Sequence, residues 1–353
     1  MNKLLIVDDS SLIRRELTKL LSQSGFEVFT AKDGQEAVDM VMLGDFDVIT
    51  MDINMPVMDG LTAVKLIMKQ KPTPIVMISS LTQGDADITF ESLEYGAVDF
   101  IGKPGTITLN VKDTGYDIVS KVVLASQIPK NRLKIRKAGN FTKANLNKQL
   151  ERKSPAVKVT KAKKVILIGA STGGPGLIEQ IVRILPADFP HPICVVQHMP
   201  EVFTSKFAQR LNKVCALDVM EAKNNETVTS GKVIIGKGGS HIHFSKKASG
   251  VVCVKLAKNT TGSFFAPSVD EMFFSAVKIF NGDELLAIEL TGIGDDGADG
   301  MVQLKKAGAL TIAESEETAT IYGMPRVAFE RGGTVKVLPF PQILDEILEF
   351  GSN

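Results

Sequence analysis

VILIGASTGGPG, residues 165–176, decides how the rest of this chain is read. Four apolar residues in succession stop at Gly169, one serine follows, and the chain then breaks into glycine and proline. A run of Val, Ile and Leu without polar alternation suits a strand covered on both faces, the habit of parallel sheets flanked by helices. Pro175 suits the first turn of a helix. The stretch is predicted to be a strand, a tight turn and a helix, with Ser171 at the carboxyl end of the strand. In open parallel sheets that is the end where ligands bind.

The same grammar extends in both directions. Downstream, ICVVQ, LDVMEA, KVIIG and LLAIEL read as further strands, with helices near 174–185, 201–213, 269–280 and 298–307. Upstream, LLIV (4–7), FEVFTA (26–31), FDVITM (46–51), PIVMIS (74–79) and DFIG (99–102) alternate with helical segments near 11–22, 34–43, 60–70, 84–95 and 108–126. Alternation of strand and helix predicts two α/β domains, each a doubly wound parallel sheet. Between them, Pro129 to Lys164 holds thirteen Lys or Arg against a single acid, Glu151. That composition reads as a basic tether, flexible or partly helical. The expected division is 1–127, a linker over 128–160, and 161–349.

Bulk properties exclude several classes. The 353 residues suit about two domains, and 44% hydrophobic content is enough for packed cores. A formal net charge of +1 favours neither nucleic acid nor an anionic membrane. The second domain shows no basic recognition helix, so no nucleic-acid partner is expected. Cys194, Cys215 and Cys253 are too few and too irregularly spaced for a disulfide framework. The apolar run of MNKLLIVDDSS meets two aspartates at once, and no run elsewhere approaches the roughly 18 residues of a membrane span. A soluble, cytoplasmic protein without direct membrane insertion is expected.

The strand ends of the first domain form a pattern. Asp8 and Asp9 follow LLIV, Asp52 follows DVITM, Ser79 and Ser80 follow PIVMI, and Lys103 follows DFIG. Three carboxylates on one rim repel one another unless a cation sits among them, and an all-oxygen donor set suits Mg²⁺. A lysine and a hydroxyl on that rim would hold the oxygens of a phosphoryl group, with Asp52 as its covalent acceptor. The competing reading, acids that merely cap helices, explains each residue singly but not the set.

In the second domain, GASTGGPG lacks the Lys-Ser/Thr of a P-loop and the register of a dinucleotide fingerprint. It does match G-x-S-x-G through Gly169, Ser171 and Gly173, which seats a serine on a sharp strand-to-helix turn. Backbone N–H groups of that turn are candidates to face a developing oxyanion. A base and an orienting acid are then required. His198 ends PICVVQHMP and falls on the same rim if the strands are parallel neighbours. His191 precedes that strand and reads as a loop residue. His241 and His243 alternate in a strand, facing one side; with Cys253 they lack a fourth ligand at zinc-like spacing. The acid is sought in LLAIELTGIGDDGADG, where Asp295, Asp296 and Asp299 are available. Ser171, His198 and Asp296 are preferred because each follows a strand on one rim; chain order does not define such a triad.

These residues carry a resemblance. VDDS (7–10), MDINMPVMDG (51–60), the Ser79 hydroxyl and Lys103-Pro104 with Phe100 resemble the response-regulator receiver domains, which are flavodoxin-like. IGASTGGP (168–175), VQHMPEVFTSKFAQRL (196–211), PSVDEMFFS (267–275), TGIGDDGADGM (291–301) and YGMPRVA (322–328) resemble the Rossmann-like catalytic domain of chemotaxis protein-glutamate methylesterases. The resemblance implies Asp52 as phosphoacceptor, Asp9 as direct Mg²⁺ ligand, Asp8 holding the metal through water, and Ser79 and Lys103 reading the phosphate. It further implies Ser171 as nucleophile, His198 as base, and Asp296 rather than Asp295 as the acid, with no cofactor for the esterase reaction. Implied partners are methyl-accepting chemoreceptors as substrate and a chemotaxis histidine kinase as phosphodonor. One chain holding both a phosphoacceptor pocket and a hydrolase is expected to be regulated by the receiver domain lying over the Ser171 rim until phosphorylation weakens that packing. Departures are Ile293 for a usual Met, Lys237 where Ala-Pro is usual, and Asn54 for a common Glu.

Overall fold

The computed structural model describes residues 1–80, 82–103, 111–133, 164–260 and 263–352. The chain divides into two compact units, Met1–Gly139 and Asn140–Asn353. Beyond Leu133, the expected linker lies outside the described residues, as does Pro104.

The first unit carries strands β1 (Asn2–Val7), β2 (Phe26–Ala31), β3 (Val48–Asp52), β4 (Ile75–Ser79) and β5 (Asp99–Gly102). They form one sheet in the order β2-β1-β3-β4-β5, every pair parallel. Helices α1 (Ser11–Ser22), α2 (Gly34–Leu43), α3 (Gly60–Gln70) and α4 (Gln83–Glu94) make the crossovers, and α5 (Val111–Ser126) follows β5. Leu4 to Val7 and all five residues of β3 and β4 are buried, which is why these strands read as unbroken apolar runs. The strand order reverses between β1 and β3, so the crevice of this sheet opens beside the ends that carry Asp8 and Asp52.

Helix capping falls to other residues. Ser10 accepts from Ile13 N, Asp33 from Glu36 N and Asp59 from Thr62 N. Asp8, Asp9 and Asp52 cap none of these helices, which removes the competing explanation for the set. Gly60 is required by a close approach: a Cβ there would lie 1.9 Å from the Asp52 carbonyl oxygen.

The second unit holds a seven-stranded sheet, entirely parallel. Its strands are β6 (Val165–Ala170), β7 (Ile193–Gln197), β8 (Asp218–Glu221), β9 (Lys232–Ile235), β12 (Leu285–Glu289), β13 (Leu310–Glu314) and β14 (Lys336–Leu338). Their order is β14-β13-β12-β6-β7-β9-β8. The chain runs outward from β6 through β7, then returns to build the other half from β12, so the reversal lies between β6 and β12. Helices α6 (Gly174–Ile184), α7 (Glu201–Val214), α8 (Val269–Val277), α9 (Ala298–Lys306), α10 (Met324–Glu330) and α11 (Phe340–Ser352) accompany the sheet. The doubly wound α/β architecture read from the sequence is the one observed.

Strands β10 (Ser240–Lys246) and β11 (Val252–Lys258) form a separate antiparallel hairpin packed on α8. This hairpin, β13, β14, α10 and α11 were not among the expected elements, although His241 and His243 were placed in a strand. His191 does lie in a loop, but a buried one. Its Nε2 is 3.1 Å from the Phe350 carbonyl oxygen, and its ring meets Phe189 and Phe350 edge to face. Burial, chiefly, pulls its pKa down. The residue ties the end of α11 to the amino end of β7.

Candidate functional site: two rims, one in each unit

On the first rim, ligand oxygens of Asp8, Asp9 and Asp52 all lie within 4.8 Å of one another. Asp8 and Asp52 are buried and Asp9 is exposed. Lys103 Nζ is 2.8 Å from Asp52 Oδ2 and 3.2 Å from Asp8 Oδ2, so one ammonium offsets part of the clustered charge. Burial pushes the Asp52 carboxyl above its ordinary pKa, opposed by Lys103 and reinforced by Asp8. For Lys103, burial works against the charge, but Asp52 and Asp8 outweigh it and raise its pKa. The Ser79 hydroxyl is buried and has no hydrogen-bond partner among the described residues. A hard, all-oxygen donor set beside an unsatisfied hydroxyl fits a divalent cation of the Mg²⁺ type together with a phosphoryl group. Asn54, one of the departures, donates from Nδ2 to Asp85 Oδ1 at 2.9 Å. Ser80 donates to the other oxygen of the same carboxylate.

On the second rim, the site is assembled at the strand reversal. Ser171 follows β6, with its N–H donating to Thr291 O at 3.0 Å and its carbonyl accepting from Gly174 N at 2.9 Å. The turn is glycine-dependent: Gly173 has φ +83°, and a Cβ there would lie 2.6 Å from Thr320 Cβ. Gln197 at the end of β7 donates from Nε2 to the Ser171 carbonyl at 2.8 Å. His198 N donates to Ala170 O at 3.0 Å, which fixes the imidazole on the neighbouring strand end. The N–H groups of Ser171 and Gly174 are committed to these carbonyls.

His198 Nε2 lies 2.8 Å from Asp296 Oδ2. Its Nδ1 is buried with no hydrogen-bond partner among the described residues. The carboxylate is in turn held by the start of α8. Oδ1 accepts from Ser268 Oγ at 2.7 Å and Asp270 N at 3.1 Å, and Oδ2 accepts from Val269 N at 2.7 Å. An anion at a helix amino terminus meets otherwise unsatisfied N–H groups and the positive end of the dipole. Burial alone would raise the pKa of Asp296; His198, Ser268 and Val269 overcome it and hold it below the ordinary value. Asp295 instead pairs with Arg331, with Asp299 2.9 Å from the same guanidinium. Among the three aspartates of this loop, Asp296 is the one hydrogen-bonded to His198.

The other histidines are structural. His241 Nδ1 accepts from Ser268 N at 3.2 Å, and His243 Nε2 is 2.9 Å from Glu271 Oε2, so the hairpin is pinned to the cap and first turn of α8.

The sequence profile described as "CheB methylesterase" matches residues 166–347, and that described as "Response regulator receiver domain" matches residues 4–111. The chain belongs to the CheB methylesterase family. A "Protein-glutamate methylesterase/protein-glutamine glutaminase 2" of Carboxydothermus hydrogenoformans is 45% identical, the alignment covering 98% of each chain. A "Protein-glutamate methylesterase/protein-glutamine glutaminase" of Archaeoglobus fulgidus is 44% identical over 99% of this chain and 97% of its own. The crystal structure of the CheB methylesterase catalytic domain of Thermotoga maritima is 38% identical, covers 53% of this chain and 97% of its own, and superposes with a TM-score of 0.51.

Several members of this family site are not visible in the pattern of strand ends. The Ser268 cradle under Asp296 depends on α8 being delivered to the rim from elsewhere in the chain. Its local signal is the S-x-x-E pattern Ser268 to Glu271, which marks a helix start. The loop holding Lys237 rests on the first turn of α7. Gly238 N donates to Thr204 Oγ1 at 3.0 Å, a Cβ at Gly238 would lie 2.3 Å from Glu201 N, and Lys237 Nζ pairs with Glu201 at 2.9 Å. The loop thus braces the helix that begins three residues after His198.

Glu289, at the end of β12, is fully buried, and neither carboxylate oxygen has a hydrogen-bond partner among the described residues. Burial, with Asp296 and Asp270 adding repulsion, raises its pKa well above the ordinary value. A carboxyl raised on folding binds more protons folded than unfolded, so stability falls as pH climbs from the unfolded value through the folded one. Glu289→Met therefore stabilises the C-terminal unit by about 2 kcal/mol at pH 8. The gain shrinks below pH of about 4, where the carboxyl is protonated in both states. Chemical denaturation at the two pH values measures the difference; equal gains at both would refute the assignment of charge.

Proposed function

We propose that this chain hydrolyses γ-glutamyl methyl esters on the cytoplasmic helices of chemoreceptors, and deamidates specific glutamines there, under control of phosphorylation at Asp52. The observation that carries the catalytic assignment is the division of labour on the His198 ring. Nε2 faces a carboxylate and so bears the proton. Nδ1 keeps its lone pair, buried and unpartnered, on the strand end adjacent to Ser171.

Ser171 Oγ attacks the ester carbonyl carbon and gives its proton to His198 Nδ1. Asp296 stabilises the imidazolium so formed. Collapse of the tetrahedral intermediate breaks the bond to the methoxy oxygen, which leaves as methanol with that proton. Water then adds to the acyl carbon, its proton passing to the same nitrogen; collapse breaks the bond to Ser171 Oγ, which recovers that proton as the receptor carboxylate is released. With a glutamine substrate the leaving group is ammonia.

In the receiver unit, Asp52 is the phosphoacceptor, and Ser79 and Lys103 contact the phosphoryl oxygens. Asp8, Asp9 and Asp52 would hold Mg²⁺, which when bound supplies positive charge against the phosphoryl oxygens. A chemotaxis histidine kinase is the phosphodonor in this reading, and methylated chemoreceptors are the substrate. The protein acts in the cytoplasm.

The test is methanol release from methylated receptor membranes with and without a small-molecule phosphodonor and Mg²⁺. The wild type is expected to be stimulated about 5- to 150-fold, the range of ordinary coupling between sites. Asp52→Asn is expected to retain basal release and lose the stimulation. Stimulation that survives in Asp52→Asn would place the phosphoacceptor elsewhere.

A further inference from the structure

Phe265 is an aromatic residue that neither the strand pattern nor the triad uses. Its ring stacks on His198 with centroids 3.9 Å apart and planes within 6° of parallel. It also meets the loop that carries Asp296, for a Cβ placed at Gly294 would lie 3.9 Å from Phe265 Cε2. The exposed Phe264 ring in turn meets Phe265 edge to face, centroids 4.9 Å apart. One phenyl face is thus pressed against the imidazole, between the two loops whose side chains must stay in register.

We propose that Phe265 is a positioning residue for His198. The argument rests on the catalytic assignment above. The hydrogen bond to Asp296 fixes one point of the imidazole but leaves rotation about the Nε2···Oδ2 line open. A parallel ring at 3.9 Å removes that freedom and keeps Nδ1 in one plane. The phenyl face also carries negative quadrupole potential, so it favours the ring more once the imidazole has taken the Ser171 proton than before. An interaction that strengthens as the charge forms lowers the barrier rather than tightening substrate binding.

The test uses the full chain and three variants. Phe265→Leu is expected to lower kcat for methanol release about 3- to 30-fold, with KM unchanged within about twofold. Phe265→Tyr, which keeps the aromatic face, is expected to restore most of kcat. Independently of activity, the His198 ring-proton resonances of histidine-labelled protein, assigned against His198→Gln, are expected to move downfield in Phe265→Leu as the ring current is lost. Resonances that stay in place would show that the rings do not stack in solution. Lost stacking with wild-type kcat would show that the contact is packing alone. Either result overturns the proposal. Failure of the catalytic assignment itself would be distinguished by an active Ser171→Ala enzyme, whatever Phe265 does.

Discussion

Ser171→Ala lowers methanol release from methylated receptor membranes by at least about 10³-fold, and His198→Ala does the same. The two losses are not additive, because the hydroxyl and the imidazole act in one step, so the double variant is expected to be about as inactive as either single one. Neither change should unfold the protein. The Ser171 backbone N–H and carbonyl, not its side chain, stitch the turn to Thr291, Gly174 and Gln197. Circular dichroism of the variants checks that point, and the release assay decides the rest. Near-normal turnover in either single variant would remove the serine-hydrolase reading.

The second large effect is at Asp296. Asp296→Asn is expected to cut kcat about 10⁴-fold, because an amide NH₂ facing Nε2 favours the tautomer with its proton on Nδ1, which has no lone pair to offer Ser171. In this fold the same substitution has a second cost. The carboxylate accepts from Ser268 Oγ, Val269 N and Asp270 N in addition to His198. An amide cannot accept on both sides, so at least one donor at the start of α8 is left unpaired, at about 1–3 kcal/mol. The pH dependence has a definite sign. A carboxyl depressed on folding contributes stability above its unfolded value, near 4, and loses it as pH falls through the folded value. The destabilisation of Asp296→Asn should therefore be full at pH 7 and diminish in acid. Denaturation midpoints at the two pH values, read beside kcat, separate the chemical from the structural share.

What could be read without coordinates follows from how these strands are buried. β1, β3, β4, β6, β7 and β12 run through the middle of parallel sheets, and each appears as an apolar run that ends abruptly at a polar residue. Because the parallel strands of one sheet all end on the same rim, one rule groups Asp8 with Asp52 in the first unit and, separately, Ser171 with His198 and Asp296 in the second. The rule fails where burial is one-sided or the partner arrives from far along the chain. In the hairpin strand β10, polar His241 is buried beside Ile242, and His243 and Ser245 flank buried Phe244, so the burial gives no continuous apolar run. The cradle of α8 under Asp296 and the stacking of Phe265 are tertiary encounters with no local period. His191 reads as an ordinary loop histidine between prolines; only the return of α11 makes it an anchor.

That anchor has a practical corollary. Phe350 is fastened to the end of the sheet from which β7 departs, whereas Ser171 and His198 lie where β6 and β7 finish. A surface tether or reporter attached through Ser352 would therefore hold this unit by the end opposite the strand termini that carry Ser171 and His198.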